Sequence, residues 1–157
     1  MKKMIFPCLL SALIALTACD ADTVYKKNDD SFPQFRWEKG REVVFTPEIE
    51  DAAVPYDVFI NFRHVHGFQF GALTLSVTRV SPSGAEESRE FEVAIIDNDG
   101  DYLSECALDI CDLRTPFETG TTFAEAGKYT YRIAHLMAVD PLPNVMEVGL
   151  TVRKAAE

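Results

Sequence analysis

The sequence predicts an all-β protein: a single domain built as a two-sheet antiparallel β-sandwich. From Phe32 onward, apolar side chains recur at every second position in short segments rich in β-branched and aromatic residues. This is the period of a strand with one buried face. Clusters of Pro, Gly, Asn, Asp and Ser separate the segments, as turns do. Several short strands in one domain favour two packed sheets, because the apolar face of one sheet must be covered by another.

Six segments show this alternation and are the predicted strands. In chain order, their apolar positions lie at Val43 to Ile49, Tyr56-Val58-Ile60-Phe62, Leu73-Leu75-Val77, Phe91-Val93-Ile95, Tyr129-Tyr131-Ile133 and Val148-Leu150-Val152. Turn residues lie between them at Val54-Pro55, Ser81 to Gly84, Asp97 to Gly100, Ala126-Gly127 and Pro141 to Asn144. No segment has the spacing of an amphipathic helix of three turns. Residues 104–114 are the one ambiguous region.

The N-terminus has the order of residue types of a lipoprotein export signal. Lys2 and Lys3 form a basic head, and an apolar stretch that is too short to span a bilayer follows them. Leu16-Thr17-Ala18-Cys19 then supplies the branched residue, the two small residues and the cysteine of a lipobox. Acylation at that position needs a thiol, because a hydroxyl is a much weaker nucleophile near neutral pH. We therefore predict a cleaved signal at residues 1–18 and lipidation of Cys19, whose acyl chains bind the bilayer.

Charge and length set the expectations for the mature chain. Loss of Lys2 and Lys3 takes the formal net charge from −10 to −12, a surface that repels phosphate backbones and makes nucleic acid an improbable partner. The 139 residues from Cys19 to the C-terminus suit one domain. Residues 19–31 are predicted as the lipidated cysteine and a flexible polar tether, because few of them are apolar. Residues 32–157 are predicted as the sandwich.

Asp97 to Asp101 is the densest carboxylate cluster, and it has two interpretations. Alternating carboxylates are typical of calcium loops, since Ca²⁺ takes several oxygen ligands. With Asp97 as the first ligand, however, glycine stands fourth rather than sixth, and the twelfth residue is Leu108 rather than glutamate. The spacing therefore favours a hairpin turn, in which Asn, Asp and Gly tolerate positive φ. Adventitious calcium binding is the alternative.

His64 and His66 are two apart on a predicted strand, so both rings could face the same way. Two imidazoles at this spacing are half of a zinc or copper site. A third ligand is not evident, since His135 has no local partner in the sequence. The pair precedes Gly67 at a predicted sheet margin, which favours polar histidines at the rim. We predict no metal site and no cofactor.

Cys106 and Cys111 are the mature thiols besides the lipidated one. Four intervening residues exclude the two-residue spacing of redox motifs and structural zinc sites. Outside the cytoplasm the pair is a candidate disulfide. A fully extended strand would separate the two by about 16 Å, so residues 107–110 would have to turn back. The sequence leaves open whether the two cysteines are bonded.

Three aromatic residues near predicted sheet margins form a candidate partner or ligand surface: Phe35, Trp37 and Phe68. If solvent-facing, they would make an aromatic platform. If buried, they would belong to the core, and packing is the favoured interpretation for Phe35 and Trp37. The chain has no nucleophile elbow, Gly-rich phosphate loop or zinc-protease motif. We therefore predict no enzyme and assign no catalytic residues.

Blocks in a fixed order along the mature chain carry a family resemblance. They are Cys19 to Tyr25, Phe35 to Gly40, Tyr56 to His64, Phe68 to Phe70, Leu73 to Leu75, Pro82 to Gly84, Asp97 to Gly100 with Tyr102-Leu103, Phe123 to Gly127, Tyr129 to Met137 and Val145 to Val152. In these blocks the chain resembles the GldH family of gliding-motility lipoproteins of Bacteroidetes. It departs from the pattern at Asp101-Tyr102, where the resemblance leads us to expect Trp-Leu-Gly, and at Cys106 and Cys111, where it leads us to expect no cysteine.

The resemblance implies an envelope lipoprotein associated with the gliding and type IX secretion machinery, with no known enzymatic activity. The leading hypothesis is therefore a non-enzymatic, lipid-anchored interaction module with envelope protein partners, in the outer membrane rather than the inner. A small-ligand or glycan-binding sandwich is the alternative, and it requires the aromatic platform to be exposed. A hydrolase is the last candidate, and it requires two carboxylates about 5 to 9.5 Å apart in a cleft.

Overall fold

Thirteen β-strands supply most of the regular structure of residues 22–156, the part of the chain that the computed structural model describes. In chain order they are β1 (Thr23–Asp29), β2 (Arg36–Trp37), β3 (Val43–Phe45), β4 (Glu48–Ile49), β5 (Tyr56–Val65), β6 (Ala72–Val80), β7 (Glu86–Ala94), β8 (Glu105–Ala107), β9 (Ile110–Thr121), β10 (Gly127–Lys128), β11 (Thr130–His135), β12 (Leu142–Pro143) and β13 (Val145–Lys154). Pro33–Phe35 form a short 3-10 turn. These residues contain no α-helix, and the all-β prediction is confirmed.

Two antiparallel sheets form the layers of the sandwich. The larger has five strands in the order β1-β13-β5-β9-β8, and the smaller has four in the order β3-β11-β6-β7. Two short pairs, β2 with β12 and β4 with β10, complete the pairing. The long strands β5 and β13 pair through nearly their whole length, with one irregularity between Val145 and Glu147.

The inner faces of both sheets contribute to one apolar core. The five-stranded sheet supplies every second residue of β5 and β13, and the four-stranded sheet supplies those of β6 and β11. The fully buried members include Ile60, Phe62, Val148, Leu150, Leu73, Leu75, Tyr131 and Ile133. Burial of one such side chain contributes roughly 1.5–3 kcal/mol. The predicted alternation therefore marks the core-facing positions correctly.

The six predicted strands correspond to observed ones, with two differences at their bounds. Residues 43–49 are divided into β3 and β4, with Pro47 between them, because proline cannot donate a ladder hydrogen bond. The strand predicted at 91–96 begins earlier, at Glu86. Its first residues are polar and exposed, so backbone pairing with β6 holds them rather than burial.

The prediction of a flexible tether is wrong for Thr23–Asp29, which form β1. This strand pairs antiparallel with β13 from Thr23 to Asp29. Tyr25 packs against the core, and its hydroxyl oxygen accepts a 3.0 Å hydrogen bond from the Thr46 N–H. The sandwich thus begins at Thr23 rather than at residue 32. The polar composition gave the wrong prediction because β1 is held mainly by backbone hydrogen bonds to β13 and not by burial of apolar side chains.

Two further predictions concern the ambiguous region and the N-terminus. Residues 104–114 contain the β8–β9 hairpin, in which Ala107 and Ile110 form the last pair before the turn. The predicted signal at residues 1–18 and Cys19 lie outside the described residues. Within residues 22–156, no helix has the length and apolarity needed to cross a bilayer.

Candidate functional site

The outer face of the five-stranded sheet carries most of the polar contacts of that sheet, and we call it the polar face. Its side chains come from the positions of each strand that alternate with the core-facing ones. Strand register places them in cross-strand rows. The polar face consists of Lys26, Asn28, Asp57, Phe59, Asn61, Arg63, Glu105, Asp112, Arg114, Glu147, Thr151 and Arg153.

Arg63 lies at the centre of one row and binds a carboxylate on each side. Its Nε and Nη2 donate to the two oxygens of Asp112, at 2.6 and 3.1 Å, and its Nη1 donates to Glu147 Oε1 at 2.6 Å. The hydrogen bond to Asp112 and the charges of both carboxylates raise the pKa of Arg63. Strand register brings these side chains together, because Arg63 lies directly opposite Asp112 on β9 and Glu147 on β13. The guanidinium is therefore held in one orientation.

Asn28 and Asn61 make the next row, on either side of Gly149. Asn28 lies over Gly149 and donates from Nδ2 to Glu147 Oε2 at 2.8 Å. Asn61 donates from Nδ2 to Thr151 Oγ1 at 2.9 Å. A Cβ on Gly149 would collide with the Asn28 amide oxygen and would lie 2.8 Å from Lys27 O. The glycine therefore lets the edge strand approach and keeps the centre of the polar face flat.

Phe59 is the aromatic residue of the polar face, and two arginines cover it. The Arg114 and Arg153 guanidinium carbons lie 4.2 and 5.0 Å from its ring centroid, within cation–π range. Arg153 also pairs with Asp57 at 3.1 Å. Phe59 is buried as a result, so its ring does not offer a stacking surface to a sugar.

A groove of about 500 Å³ opens on the polar face. Its charged lining has three basic residues and three acidic ones, so it is locally neutral on a strongly acidic protein. The charged lining consists of Lys26, Arg63, Arg114, Glu105, Asp112 and Glu147. Leu103 and Leu113 add apolar area. A neutral, mixed-charge groove of this kind suits a protein or peptide surface better than a highly charged ligand.

The β8–β9 hairpin borders this groove through Glu105. Cys106 and Cys111 face each other across the hairpin, with Cα atoms 4.0 Å apart, and the structure joins them in a disulfide. Residues 107–110 do turn back, as such a bond requires. Leu108 at the turn is 96% exposed.

Phe35, Trp37 and Phe68 do not form an exposed aromatic platform, and the favoured interpretation, packing into the core, is confirmed for Trp37 but not for Phe35. Trp37 and Phe68 are fully buried, and Phe35 alone is exposed, at 49%. Trp37 donates from its indole nitrogen to Arg41 O at 2.9 Å, and Phe68 packs edge-on against Phe62. At both of these sheet margins the aromatic side chain points into the core. The glycan-binding hypothesis loses the surface on which it depended.

His64 and His66 both pack against the Tyr102 ring, His135 lies apart from them, and the rim interpretation is wrong for His64. His64 is buried, with Nε2 2.8 Å from Ser104 Oγ and Nδ1 3.0 Å from Val65 O, whereas His66 is exposed. His135 is buried on the other sheet, with Nε2 3.0 Å from Trp37 O. Burial lowers the pKa of both buried histidines.

Asp97 to Asp101 form a turn, as the spacing favours. The Asp97 carboxylate accepts hydrogen bonds from the backbone N–H groups of Asp99 and Asp101, at 2.9 and 3.0 Å. Gly100 adopts a positive φ of 90°. Across residues 22–156, no group of three or more His, Cys, Asp or Glu side chains is placed to hold a metal ion.

Comparisons with known proteins agree with the resemblance in the sequence. The family model described as GldH lipoprotein matches residues 23–152. A gliding motility lipoprotein GldH homolog of Christiangramia forsetii is 25% identical over 150 residues, which cover 91% of each chain. No solved structure matches.

Proposed function

The chain belongs to the GldH lipoprotein family, and on that premise we propose that it is an envelope lipoprotein acting as a non-enzymatic interaction module. Its partners in this proposal are envelope proteins of gliding motility or type IX secretion. The relative from Christiangramia forsetii, a gliding motility lipoprotein GldH homolog, supports the assignment to gliding motility. The anchor is Cys19, and the membrane is the outer rather than the inner one.

The observation that carries the proposal is the groove of the polar face with Arg63 held at its centre. Arginine is enriched where proteins bind each other, and Arg63 is already oriented by Asp112 and Glu147. A side chain that is fixed before binding loses less conformational entropy when a partner arrives. The local charge balance also removes the repulsion that the acidic protein would otherwise present to an acidic partner.

The same contacts argue against hydrolysis on this face. Asp112 and Glu147 are the carboxylates closest to Arg63, and both are bound to its guanidinium. Neither is therefore a free general acid or base. The charged pairs of the polar face serve to organise a surface rather than to transfer protons.

Anchoring is tested by labelling growing cells with a palmitate analogue. We expect the label on the wild-type protein and none on the Cys19→Ala variant, together with loss of that variant from the outer-membrane fraction. Equal labelling of both proteins would refute the anchor. Recovery of the wild type in the inner-membrane fraction would refute the choice of membrane.

Interaction is tested by affinity purification of the intact, lipidated protein from crosslinked membranes, followed by quantitative mass spectrometry. We expect gliding or type IX secretion components to be enriched over a purification from cells that produce an unrelated outer-membrane lipoprotein at the same level. An eluate that contains no envelope protein above this control would overturn the proposal.

A further inference from the structure

The chain end that leads to Cys19 and the β8–β9 hairpin turn lie at opposite ends of the five-stranded sheet. Thr23 pairs with Arg153, which pairs with Asp57 at the start of β5. Ile110, next to the hairpin turn, pairs with Val65 at the end of β5. Eight residue steps separate Asp57 from Val65, or about 26 Å along the strand.

This arrangement orients the domain on the membrane if Cys19 carries the lipid. Four residue steps separate Cys19 from Thr23, so the acylated residue lies at most about 14 Å from the start of β1. The Asp57 end of the sheet is therefore held near the bilayer, and the hairpin turn projects away from it. A lipidated protein with this geometry presents its hairpin to proteins rather than to its own membrane.

Leu108 at the hairpin turn is an unusual residue for its position. It has a φ of +55°, a conformation that Gly and Asn adopt readily and other residues rarely. It is also 96% exposed, and the side chains of Leu103 and Ile110 nearby in sequence are exposed as well, at 49% and 40%. A large apolar side chain in a strained conformation and in contact with solvent is a candidate for function rather than for folding.

The hairpin that carries Leu108 is fixed on both sides. The disulfide joins its two strands directly across from each other. Asp109 O accepts a 2.8 Å hydrogen bond from the His66 N–H, and Ser104 Oγ lies 2.8 Å from His64 Nε2. These contacts tie the hairpin to the end of β5, so Leu108 is presented at a defined place.

Acidic residues lie around this apolar turn. Asp109 and Glu105 belong to the hairpin region. The turn from Asp97 to Asp101 lies at the same end of the sandwich, because Tyr102 beside it contacts His66 and receives a hydrogen bond from the Gly67 N–H. This acidic surround repels anionic lipid headgroups and is complementary to a basic rim.

We propose that Leu108 is a docking knob that inserts into an apolar pocket rimmed by Lys or Arg on an envelope protein. The inference rests on the proposed function, and it names the surface and the partner chemistry. Charge complementarity favours a protein with a basic rim over a lipid surface. Because the groove of the polar face borders the same hairpin through Glu105, knob and groove form one continuous binding surface.

The test uses the full, lipidated protein in its own cells, with a photo-crosslinking amino acid at position 108 and, as the control, at position 136. Leu136 is an exposed leucine that follows β11 in the other sheet. Leu108→Asn and Leu136→Asn are compared in parallel by affinity purification. Asparagine tolerates positive φ, so the first variant keeps the turn, and thermal melting confirms that both variants fold.

Support for the knob requires two results together. Position 108, but not 136, crosslinks to an envelope protein at residues that border an apolar pocket with Lys or Arg at its rim. Leu108→Asn lowers recovery of that same protein by about ten-fold or more, whereas Leu136→Asn leaves it within about two-fold of wild type.

Three other results would overturn it, and they separate the knob from the proposed function. If Leu108→Asn recovers the wild-type amount of partner, the knob is wrong and the proposed function stands. If position 108 crosslinks only to lipid, the hairpin inserts in a membrane and the protein-docking inference is wrong. If the wild type recovers no envelope protein, both fall together.

Discussion

Replacement of Gly149 by alanine probes the edge of the polar face, where the sequence did not predict a strand. The new Cβ would collide with the Asn28 amide oxygen and lie 2.8 Å from both Asn28 Cγ and Lys27 O. Asn28 must turn away and lose its hydrogen bond to Glu147, which costs about 1 kcal/mol. The backbone of β1 must also shift, and overpacking of this kind costs about 1–3 kcal/mol. We expect Gly149→Ala to lower the free energy of unfolding by about 2–4 kcal/mol, the sum of the two costs.

A double-mutant cycle separates the two parts of this cost. In an Asn28→Ala background the side-chain collision is absent, so Gly149→Ala should cost about 1 kcal/mol less than in the wild type. Urea denaturation followed by the fluorescence of Trp37, the single and fully buried tryptophan, gives all four free energies. A Gly149→Ala cost below about 0.5 kcal/mol, or strict additivity with Asn28→Ala, would refute the pairing of β1 over Gly149.

Three further changes have expected outcomes in the same unfolding assay. Leu108→Asn should raise stability by about 0.5–1 kcal/mol, because Asn is less strained at positive φ; an unchanged or lower value would contradict the strain. Replacing Cys106 and Cys111 by serine should cost about 2 kcal/mol, the value for a short closed loop; no loss would show that the bond is absent in solution. Because burial lowers the pKa of His64, the unfolded chain binds its proton first, and stability falls as pH drops below about 6.5, by at most about 1.4 kcal/mol per pH unit. His64→Gln should reduce this dependence between pH 7 and 5, although the buried His135 still contributes to it, and an unchanged slope would contradict the prediction.

Strands with one strongly apolar face could be predicted from the sequence, and others could not. In β5, β6 and β13 the alternation alone identifies the element and its buried side. In β9 hardly any position carries a fully buried side chain, and a proline, Pro116, falls within the strand, so no alternation of apolar residues stands out in the sequence. In β1 most positions are exposed, and the strand forms because its backbone hydrogen-bonds to that of β13. Such pairing depends on strand order, which no local pattern carries.

The candidate site was beyond sequence reasoning for the same reason. Arg63 meets Asp112 and Glu147, which are 49 and 84 positions away in the chain. Their contact requires β5 to lie between β9 and β13, and the sequence left the strand order open. One signal was available: the polar residues Asn61 and Arg63 on the outward positions of the most regular strand. The aromatic residues did not identify a site, since the position of an aromatic residue near a strand end does not reveal whether its side chain is buried or exposed.

The most direct measurement compares charge reversal at the centre of each sheet's outer face. Arg63 and Arg132 are matched: each makes two ion pairs, and their side chains are 35% and 33% exposed. Partner recovery from crosslinked membranes is quantified for Arg63→Glu, Arg132→Glu and wild type. We predict that Arg63→Glu lowers recovery about ten-fold or more, a loss of about 1.4 kcal/mol of binding free energy, whereas Arg132→Glu stays within about two-fold of wild type. Equal recovery by the two variants would contradict the assignment of the polar face as the binding surface.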